Sequence, residues 1–180
     1  MSPGRPTSFK LASRVIHDKI ERMDLQFVST TNTLIVKDGK GLFIKRSEKL
    51  EDFPGWLMLP GGKQKGTETP MQGAIRETFE ETGLKVINPK LKVIATHNHD
   101  YKNKIYLVYI FAASEFSGEL IDFEEGKGEP VWLPLEETLE NPKLYPDLKR
   151  HIRLVLEAEV EGIIFTYHKF NKDLEIIEEI

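Results

Sequence analysis

Three glutamates occupy one side of a predicted helix. Glu77, Glu80 and Glu81 stand at positions i, i+3 and i+4, a spacing that brings their side chains to the same helical face. Two carboxylates about 6 Å apart repel by about 3 kcal/mol at an effective dielectric of about 20, and the single neighbouring Arg76 cannot neutralise all three. Because carboxylate oxygens are preferred ligands of hard divalent cations, the cluster predicts a Mg²⁺ site that engages phosphate. The alternative is the solvated face of an amphipathic helix.

Both ends of this helix are marked by the sequence. Thr69-Pro70-Met71-Gln72 combines an N-cap hydroxyl, a proline in the first turn and a capping-box glutamine, and Gly83 predicts the end. On the same arc as the carboxylates, Gly73 leaves bare backbone that a metal–phosphate group could approach. The arc expected to face the sheet holds Met71, Ala74, Ile75, Thr78, Phe79 and Thr82.

The helix belongs to a longer motif with fixed spacing. Gly62 is followed by five residues, Glu68, seven residues and then the run from Arg76 to Leu84. This motif resembles the Nudix box, the signature of the Nudix hydrolase family. Its one departure is Thr78, which stands where the family usually has an aliphatic residue and therefore concerns packing. In spacing and strand order the resemblance extends over about residues 26–160.

Membership in the Nudix family implies hydrolysis of a nucleoside diphosphate linked to another group, with Mg²⁺ or Mn²⁺ and an attacking water. Strands interspersed with two helices predict a mixed sheet flanked by helices, and therefore an α+β fold, which the resemblance implies is arranged as an α/β/α sandwich. Glu68 and Arg76 would orient Glu77. Carried over by position, the metal ligands would be Glu77, Glu80, Glu81 and the Gly61 carbonyl.

Further site residues follow from the same resemblance. In MutT-type members a glutamate on a later loop joins the metal site, and Glu125 fits this position best, with Glu124 and Glu129 as alternatives. Arg46 and Lys63 are the basic groups placed to contact substrate phosphates. Each of these residues could instead be an ordinary solvated side chain.

The substrate remains open among several classes. Residues 111–135 and the tail around Tyr167 look most like MutT-type 8-oxo-dGTP diphosphatases, which favours an oxidised purine nucleoside triphosphate cleaved to the monophosphate and pyrophosphate. Tyr101 weakly favours a dinucleoside polyphosphate. The resemblance is also compatible with hydrolysis of ADP-ribose, a nucleotide sugar or coenzyme A, and with a catalytically silent nucleotide sensor. The intact acidic face argues against the sensor.

Elements outside the helix are predicted from alternation and turn residues. Residues 26–46 read as a hairpin around Asp38-Gly39, and strands are expected at 91–97, 104–113 and 130–133. A second helix is expected from Pro146 to about Glu159, followed by a tail hairpin over 163–180. We expect residues 1–25 to be an N-terminal extension and residues 26–180 to form a single domain.

Composition limits the partners. The 180 residues carry a formal charge of −4 and no cysteine, which excludes disulfides, thiolate chemistry and a global attraction to duplex nucleic acid or anionic membranes. Cytoplasmic location is the default, with a small nucleotide as partner and a monomer or homodimer as the assembly. His97-Asn98-His99-Asp100 is interpreted as a solvated turn in preference to a metal cluster. Trp56 and Trp132 are expected to pack in the core.

Overall fold

The computed structural model describes residues 25–50, 53–122, 128–157 and 162–180. The expected extension therefore lies outside the described residues, apart from residue 25. The helices are α1 (Pro70–Thr82), α2 (Leu135–Leu139) and α3 (Leu148–Glu157), with a 3₁₀ turn at Asp100–Lys102. The strands are β1 (Gln26–Lys37), β2 (Lys40–Lys45), β3 (Leu57–Met58), β4 (Gly61–Lys63), β5 (Lys85–Ile87), β6 (Lys90–His99), β7 (Lys104–Ala113), β8 (Glu115–Ser117), β9 (Glu129–Pro134), β10 (Ile164–Phe170) and β11 (Ile176–Glu179).

The main sheet is mixed, as the sequence predicts. Its strand order is β11-β10-β6-β7-β1-β2-β3, with β4 also paired to β1 and β9 to β2. β1 runs parallel to β7 and β10 runs parallel to β6, whereas β6 and β7 are antiparallel. A separate ladder joins β5 to β8. The hairpin of β1 and β2 turns through Asp38 and Gly39, both with positive φ.

Helices cover both faces of the sheet. Neighbouring residues of a strand point to opposite faces, so one strand contributes side chains to two separate cores. Leu34 belongs to the core that includes Leu148 and Ile152 of the α3 layer. The next residue, Ile35, belongs to a second core that includes Ile75 of α1. The α+β class and the α/β/α layering predicted from the sequence are thus confirmed.

Helix α1 has the predicted ends, and Ala74, Thr78 and Thr82 of the predicted face are buried, but its two largest predicted residues are not. Thr69 caps the helix in a capping box with Gln72, and Gly83 ends it at φ 77°. The expectation that Phe79 and Met71 face the sheet is wrong, since their exposed fractions are 56% and 45%. The buried residues of the helix are Gly73, Ala74, Thr78 and Thr82.

The short distance between α1 and β1 explains why the small residues of the helix are buried and Met71 and Phe79 are exposed. Thr78 donates its hydroxyl to Thr33 on β1 over 2.9 Å, and a Cβ at Gly73 would lie 3.5 Å from Thr31. Only small side chains fit at such a distance, so the bulky ones turn to solvent. Gly73 is therefore buried against the sheet, which overturns its predicted role as backbone open to a metal–phosphate group.

The remaining elements differ from the predicted ones mainly in their boundaries. The second predicted helix appears as α3, and α2 is a short helix that the sequence did not predict. The tail forms the expected hairpin, in which β10 pairs antiparallel with β11 and extends the main sheet beside β6. Among the described residues, no helix has both the length and the apolar character needed to cross a bilayer.

Candidate functional site

The glycine pair Gly61-Gly62 brings backbone against the acidic face of α1. Gly61 pairs with Asn32 of β1, and a Cβ on it would collide with the Thr31 carbonyl oxygen. A Cβ on Gly62 would lie 2.6 Å from the carboxylate of Glu77. Side chains are therefore excluded at both positions, and the chain passes the acidic face as bare backbone.

Arg76 is the centre of the acidic cluster. Its guanidinium donates to both carboxylate oxygens of Glu68, over 2.6 Å and 2.9 Å. It also donates to Glu77 over 2.8 Å and to Glu80 over 2.9 Å. These bonds from Arg76, followed by one from the Lys65 amide, lower the pKa of Glu68 to about 2. One cation thus organises three carboxylates, and Glu68 stays ionised in neutral solution.

Glu81 is partly buried, as Glu77 is, whereas Glu80 is exposed. Burial raises the pKa of Glu81 to about 7. Repulsion from Glu77 also raises this pKa, whereas the hydrogen bond from the Gly61 amide lowers it. The Gly61 amide donates to Glu81 over 2.9 Å. Glu80, in contrast, is about half exposed and also lies 3.3 Å from the Lys65 ammonium group. The three glutamates therefore share one face and differ sharply in solvation.

The acidic face has the features of a hard divalent cation site. All its donors are oxygens, which Mg²⁺ and Mn²⁺ prefer. Glu81 has a raised pKa because nothing compensates its buried charge fully, and a bound cation would do so. The glycine pair lets the backbone lie in direct contact with the carboxylate of Glu77. The residues present therefore fit a divalent metal ion.

A cavity of about 230 Å³ begins at the glycine pair. Gly61 and Gly62 form part of its lining at one side, and Phe53 and Tyr145 add aromatic surface. Asp147 also lines the cavity, although its side chain is almost completely buried. Gly61 and Gly62, which contact the acidic face of α1, thus line the same cavity as a buried polar region that the sequence did not predict.

That polar region is a cluster of histidines around Asp147. His97 Nε2 lies 2.6 Å from Asp147 Oδ2, and His151 Nδ1 lies 3.5 Å from the same oxygen. His99 and His168 lie close by, and all four imidazoles are buried. The interpretation of residues 97–100 as a solvated turn is therefore wrong for the two histidines. They are buried because β6 continues through them to residue 99.

Burial determines the charge of this cluster. Burial lowers the pKa of His151 and of His99 to about 4, so both imidazoles are neutral at pH 7. The pKa of His168 is lowered for the same reason. Burial would raise the pKa of Asp147, but His97 and the other imidazoles outweigh it and lower the value to about 2. Asp147 is thus a buried carboxylate among imidazole rings.

The other predicted residues have separate surroundings. Arg46 lies near enough to oppose the raised pKa of Glu81, and its guanidinium is 5.9 Å from the Phe53 ring. The Lys63 side chain is exposed, while its carbonyl accepts from Arg76 over 3.1 Å. Glu124 and Glu125 lie outside the described residues, and Glu129 pairs with Lys45 in the sheet.

Both tryptophans pack as predicted. The Trp56 ring makes edge contacts with Phe53 and Tyr145, and Trp132 packs against Phe116 at a ring separation of 5.8 Å. Tyr101, in the 3₁₀ turn, is partly exposed and its hydroxyl lies 3.2 Å from His99 Nδ1. Tyr101 therefore lies beside His99, one of the histidines that line the cavity.

A family model described as NUDIX domain matches residues 28–155. The chain therefore belongs to the Nudix family, whose members are hydrolases that act on phosphoric anhydride bonds and generally use a divalent metal ion. The matched segment contains the acidic helix, the glycine pair and most of both cores of the sheet, although Phe170 of the first core lies beyond it. It ends before the β10–β11 hairpin.

Relatives with assigned names carry several activities. The Nudix hydrolase YvcI of Bacillus subtilis is 33% identical over 101 residues, which are 54% of this chain and 61% of that protein. An 8-oxo-dGTP diphosphatase of Haemophilus influenzae is 27% identical over 106 residues, 59% of this chain and 76% of that protein. An ADP-ribose pyrophosphatase of Methanocaldococcus jannaschii is 33% identical over 110 residues, 59% of this chain and 62% of that protein. The chain thus spans about three fifths of the length of two of these relatives.

Solved structures agree with the fold. The crystal structure of the MutT protein from Bacillus halodurans superposes with a TM-score of 0.73 at 26% identity, covering 85% of this chain and 96% of that chain. This superposition covers 85% of the chain, whereas the sequence alignments with the named relatives cover 54–59%. The structural similarity therefore extends beyond the aligned segments.

Proposed function

We propose that this protein is a Mg²⁺- or Mn²⁺-dependent nucleotide pyrophosphohydrolase in which Glu77, Glu80 and Glu81 bind the metal ions. The observation that carries the proposal is the position of this acidic face beside the bare backbone of Gly61 and Gly62. The backbone of Gly62 lies directly against the Glu77 carboxylate because no side chain separates them, and we expect substrate phosphate to bind beside this contact. The Gly61 carbonyl and the loop residue Glu125 belong to the proposed ligand set.

The divalent ion, when bound, would neutralise phosphate charge and acidify the attacking water. The chain itself supplies orientation. Glu68 fixes the guanidinium of Arg76, and Arg76 in turn fixes the carboxylate of Glu77. Arg46 and Lys63 supply positive charge for the terminal phosphates. The cavity beyond the glycine pair receives the remainder of the nucleotide, partly shielded from water.

The favoured substrate is a purine nucleoside triphosphate such as 8-oxo-dGTP, cleaved to the monophosphate and pyrophosphate. The 8-oxo-dGTP diphosphatase among the relatives and the MutT-like region of residues 111–135 support this choice. The ADP-ribose pyrophosphatase of Methanocaldococcus jannaschii supports ADP-ribose as the second candidate. In this proposal residues 26–180 form one domain, preceded by an extension at residues 1–25. The protein acts on small nucleotides in the cytoplasm as a monomer or homodimer.

A substrate panel tests the proposal. The purified protein is incubated with Mg²⁺ and dGTP, 8-oxo-dGTP, ADP-ribose, diadenosine tetraphosphate or coenzyme A, and the products are separated by chromatography. We expect hydrolysis that stops when EDTA is added and resumes with excess Mg²⁺. Turnover of none of these compounds would favour a nucleotide sensor and contradict the assignment.

Variants connect the activity to the acidic face. Glu80→Gln removes one charge from a half-exposed position and should reduce hydrolysis at least about a hundredfold without loss of folding. Glu136→Gln, at an exposed glutamate in the first turn of α2, is the matched control and should retain full activity. Full activity of the Glu80 variant would overturn the proposed site.

A further inference from the structure

We infer that His97, Asp147 and His151 form a second metal site, separate from the acidic face of α1 and suited to Zn²⁺ or a similar transition-metal ion. His97 comes from β6, Asp147 directly precedes α3, and His151 lies one turn further along that helix. One ligand atom from each residue can be chosen so that all three atoms lie within 4.8 Å of one another. Two imidazole nitrogens and one carboxylate oxygen are a common protein set for transition metals.

The polar atoms of this cluster are buried and poorly satisfied. His97 Nε2 and Asp147 Oδ2 approach to 2.6 Å without the alignment of a hydrogen bond. Both oxygens of Asp147 and Nδ1 of His151 have no hydrogen-bond partner among the described residues. Buried polar groups whose hydrogen bonding is incomplete cost free energy, and a cation between them would satisfy all three side chains.

One of the two imidazoles is already oriented for coordination. His151 Nε2 lies 2.9 Å from the hydroxyl of Thr166 on β10. A hydrogen bond there holds the ring so that Nδ1 faces Asp147, at 3.5 Å. Metal-bound histidines usually bond through their second nitrogen in this way, which fixes the ring and its tautomer.

The charge and the ligand types select the kind of ion. Asp147 is the buried carboxylate of the cluster, and its surroundings are imidazoles that bear no positive charge when they coordinate. Nitrogen ligands favour Zn²⁺, Co²⁺ or Fe²⁺ over Mg²⁺, which prefers oxygen. The acidic face of α1, whose ligands are all oxygens, has the opposite preference. Two metal sites of different selectivity would then flank one cavity.

The cavity would leave the ion an open coordination position. His97, Asp147 and His151 all line it, so the ion would be reached from the same space as the nucleotide. Three protein ligands with an accessible fourth position are typical of zinc sites that contact water or substrate. His168 packs against His151 at a ring separation of 5.1 Å and stands behind the three ligands.

Cobalt titration tests the site without an activity measurement. The full chain is treated with chelator, transferred to excess Mg²⁺ to occupy the oxygen ligands of α1, and titrated with Co²⁺. We expect intense visible absorption, typical of four-coordinate cobalt with nitrogen ligands, that saturates at one equivalent and disappears when Zn²⁺ is added. Absence of these bands in the unmodified chain would overturn the inference.

Four variants locate the bound ion. Asp147→Asn and His151→Gln should each weaken Co²⁺ binding at least about tenfold, the scale of a lost ligand or its support. His99→Gln is the matched control, because His99 is another buried histidine of β6 that is outside the ligand set. It should bind Co²⁺ normally, as should Glu80→Gln.

Circular dichroism of each metal-free variant shows whether it folds. Unchanged cobalt bands in a folded Asp147→Asn protein, or their loss in Glu80→Gln, would place the ion elsewhere and refute the site. If the Asp147 variant does not fold, His151→Gln and the unmodified chain decide the question. Because hydrolysis is not measured, failure here leaves the proposed enzyme activity to its own test.

Discussion

Arg76 and Glu68 are joined by a two-pronged ion pair, with bonds of 2.6 Å and 2.9 Å between the guanidinium and the two carboxylate oxygens. The remaining nitrogen of Arg76 holds Glu77 and Glu80. Glu68 therefore reaches the acidic face indirectly, chiefly through Arg76, and its carboxylate also accepts from the amide of Lys65, whose ammonium group lies near Glu80. It is a positioning residue, and its effect should be distinguishable from that of a metal ligand.

Replacing Glu68 should weaken catalysis less than replacing Glu80. Glu68→Gln keeps the size of the side chain but removes the charge that orients Arg76, and we expect hydrolysis to fall about 10- to 100-fold. Steady-state kinetics at several Mg²⁺ concentrations measures the change. Equal kinetics of this variant and the unmodified protein would show that the ion pair does not orient the site.

Acid stability offers a second test of this ion pair. The folded pKa of Glu68 is about 2 because Arg76 and the Lys65 amide bind its carboxylate, whereas the ordinary value is 4.5. A lowered pKa means that the unfolded chain binds more protons, so the stabilisation exists above pH 4.5 and disappears as the pH falls towards 2. In metal-free protein, Glu68→Gln should flatten the loss of stability across this interval, measured by urea unfolding. An identical pH dependence in both proteins would contradict the prediction.

Gly62→Ala should damage activity while the fold persists. The new Cβ would lie 2.6 Å from the Glu77 carboxylate, which must therefore move. A displacement of about 1 Å at a catalytic group can reduce the rate about a hundredfold. Gly66→Ala is the matched control in the turn after β4, because nothing lies within 4 Å of its Cβ, although its φ of 47° adds some strain. Comparable losses in both variants would mean that loop strain, and not contact with Glu77, is responsible.

The unusual threonine of the motif should contribute to stability alone. Thr78→Val would leave the buried hydroxyl of Thr33 without its 2.9 Å partner and should cost about 1–3 kcal/mol in the free energy of unfolding. The double variant Thr33→Val, Thr78→Val removes both hydroxyls and should recover part of that loss. Chemical denaturation of the four proteins forms a double-mutant cycle. A double variant that loses the sum of both single effects would contradict the coupling.

Local rules explain what the sequence predicted well. The ends of α1 follow from Thr69, Gln72 and Gly83, and the first hairpin follows from Asp38-Gly39, because caps and tight turns depend on nearby residues. The buried face of α1 was predicted less well. Hydrophobicity placed Phe79 inside, but the distance to β1 admits only small residues, and that distance is a tertiary property.

The histidine cluster required contacts that the sequence does not reveal. His97 and Asp147 belong to different elements and meet only when α3 packs on β6. A partial signal existed, since Asp147 and His151 are four residues apart at the start of a helix and His97 and His99 alternate along a strand. Their separation along the chain concealed the combination.

The C-terminal hairpin contacts the histidine cluster from a part of the chain that follows the matched family segment. Thr166 and His168 on β10 support the rings of His151 and His97 from behind, yet both residues follow the segment that the NUDIX domain model matches. The acidic helix and the side chains that pack against the histidine cluster are therefore encoded in separate stretches. A relative could exchange the last stretch and acquire a new ligand preference while its cleavage chemistry stays intact, which makes tail-swapped chimeras a direct route to re-engineering selectivity.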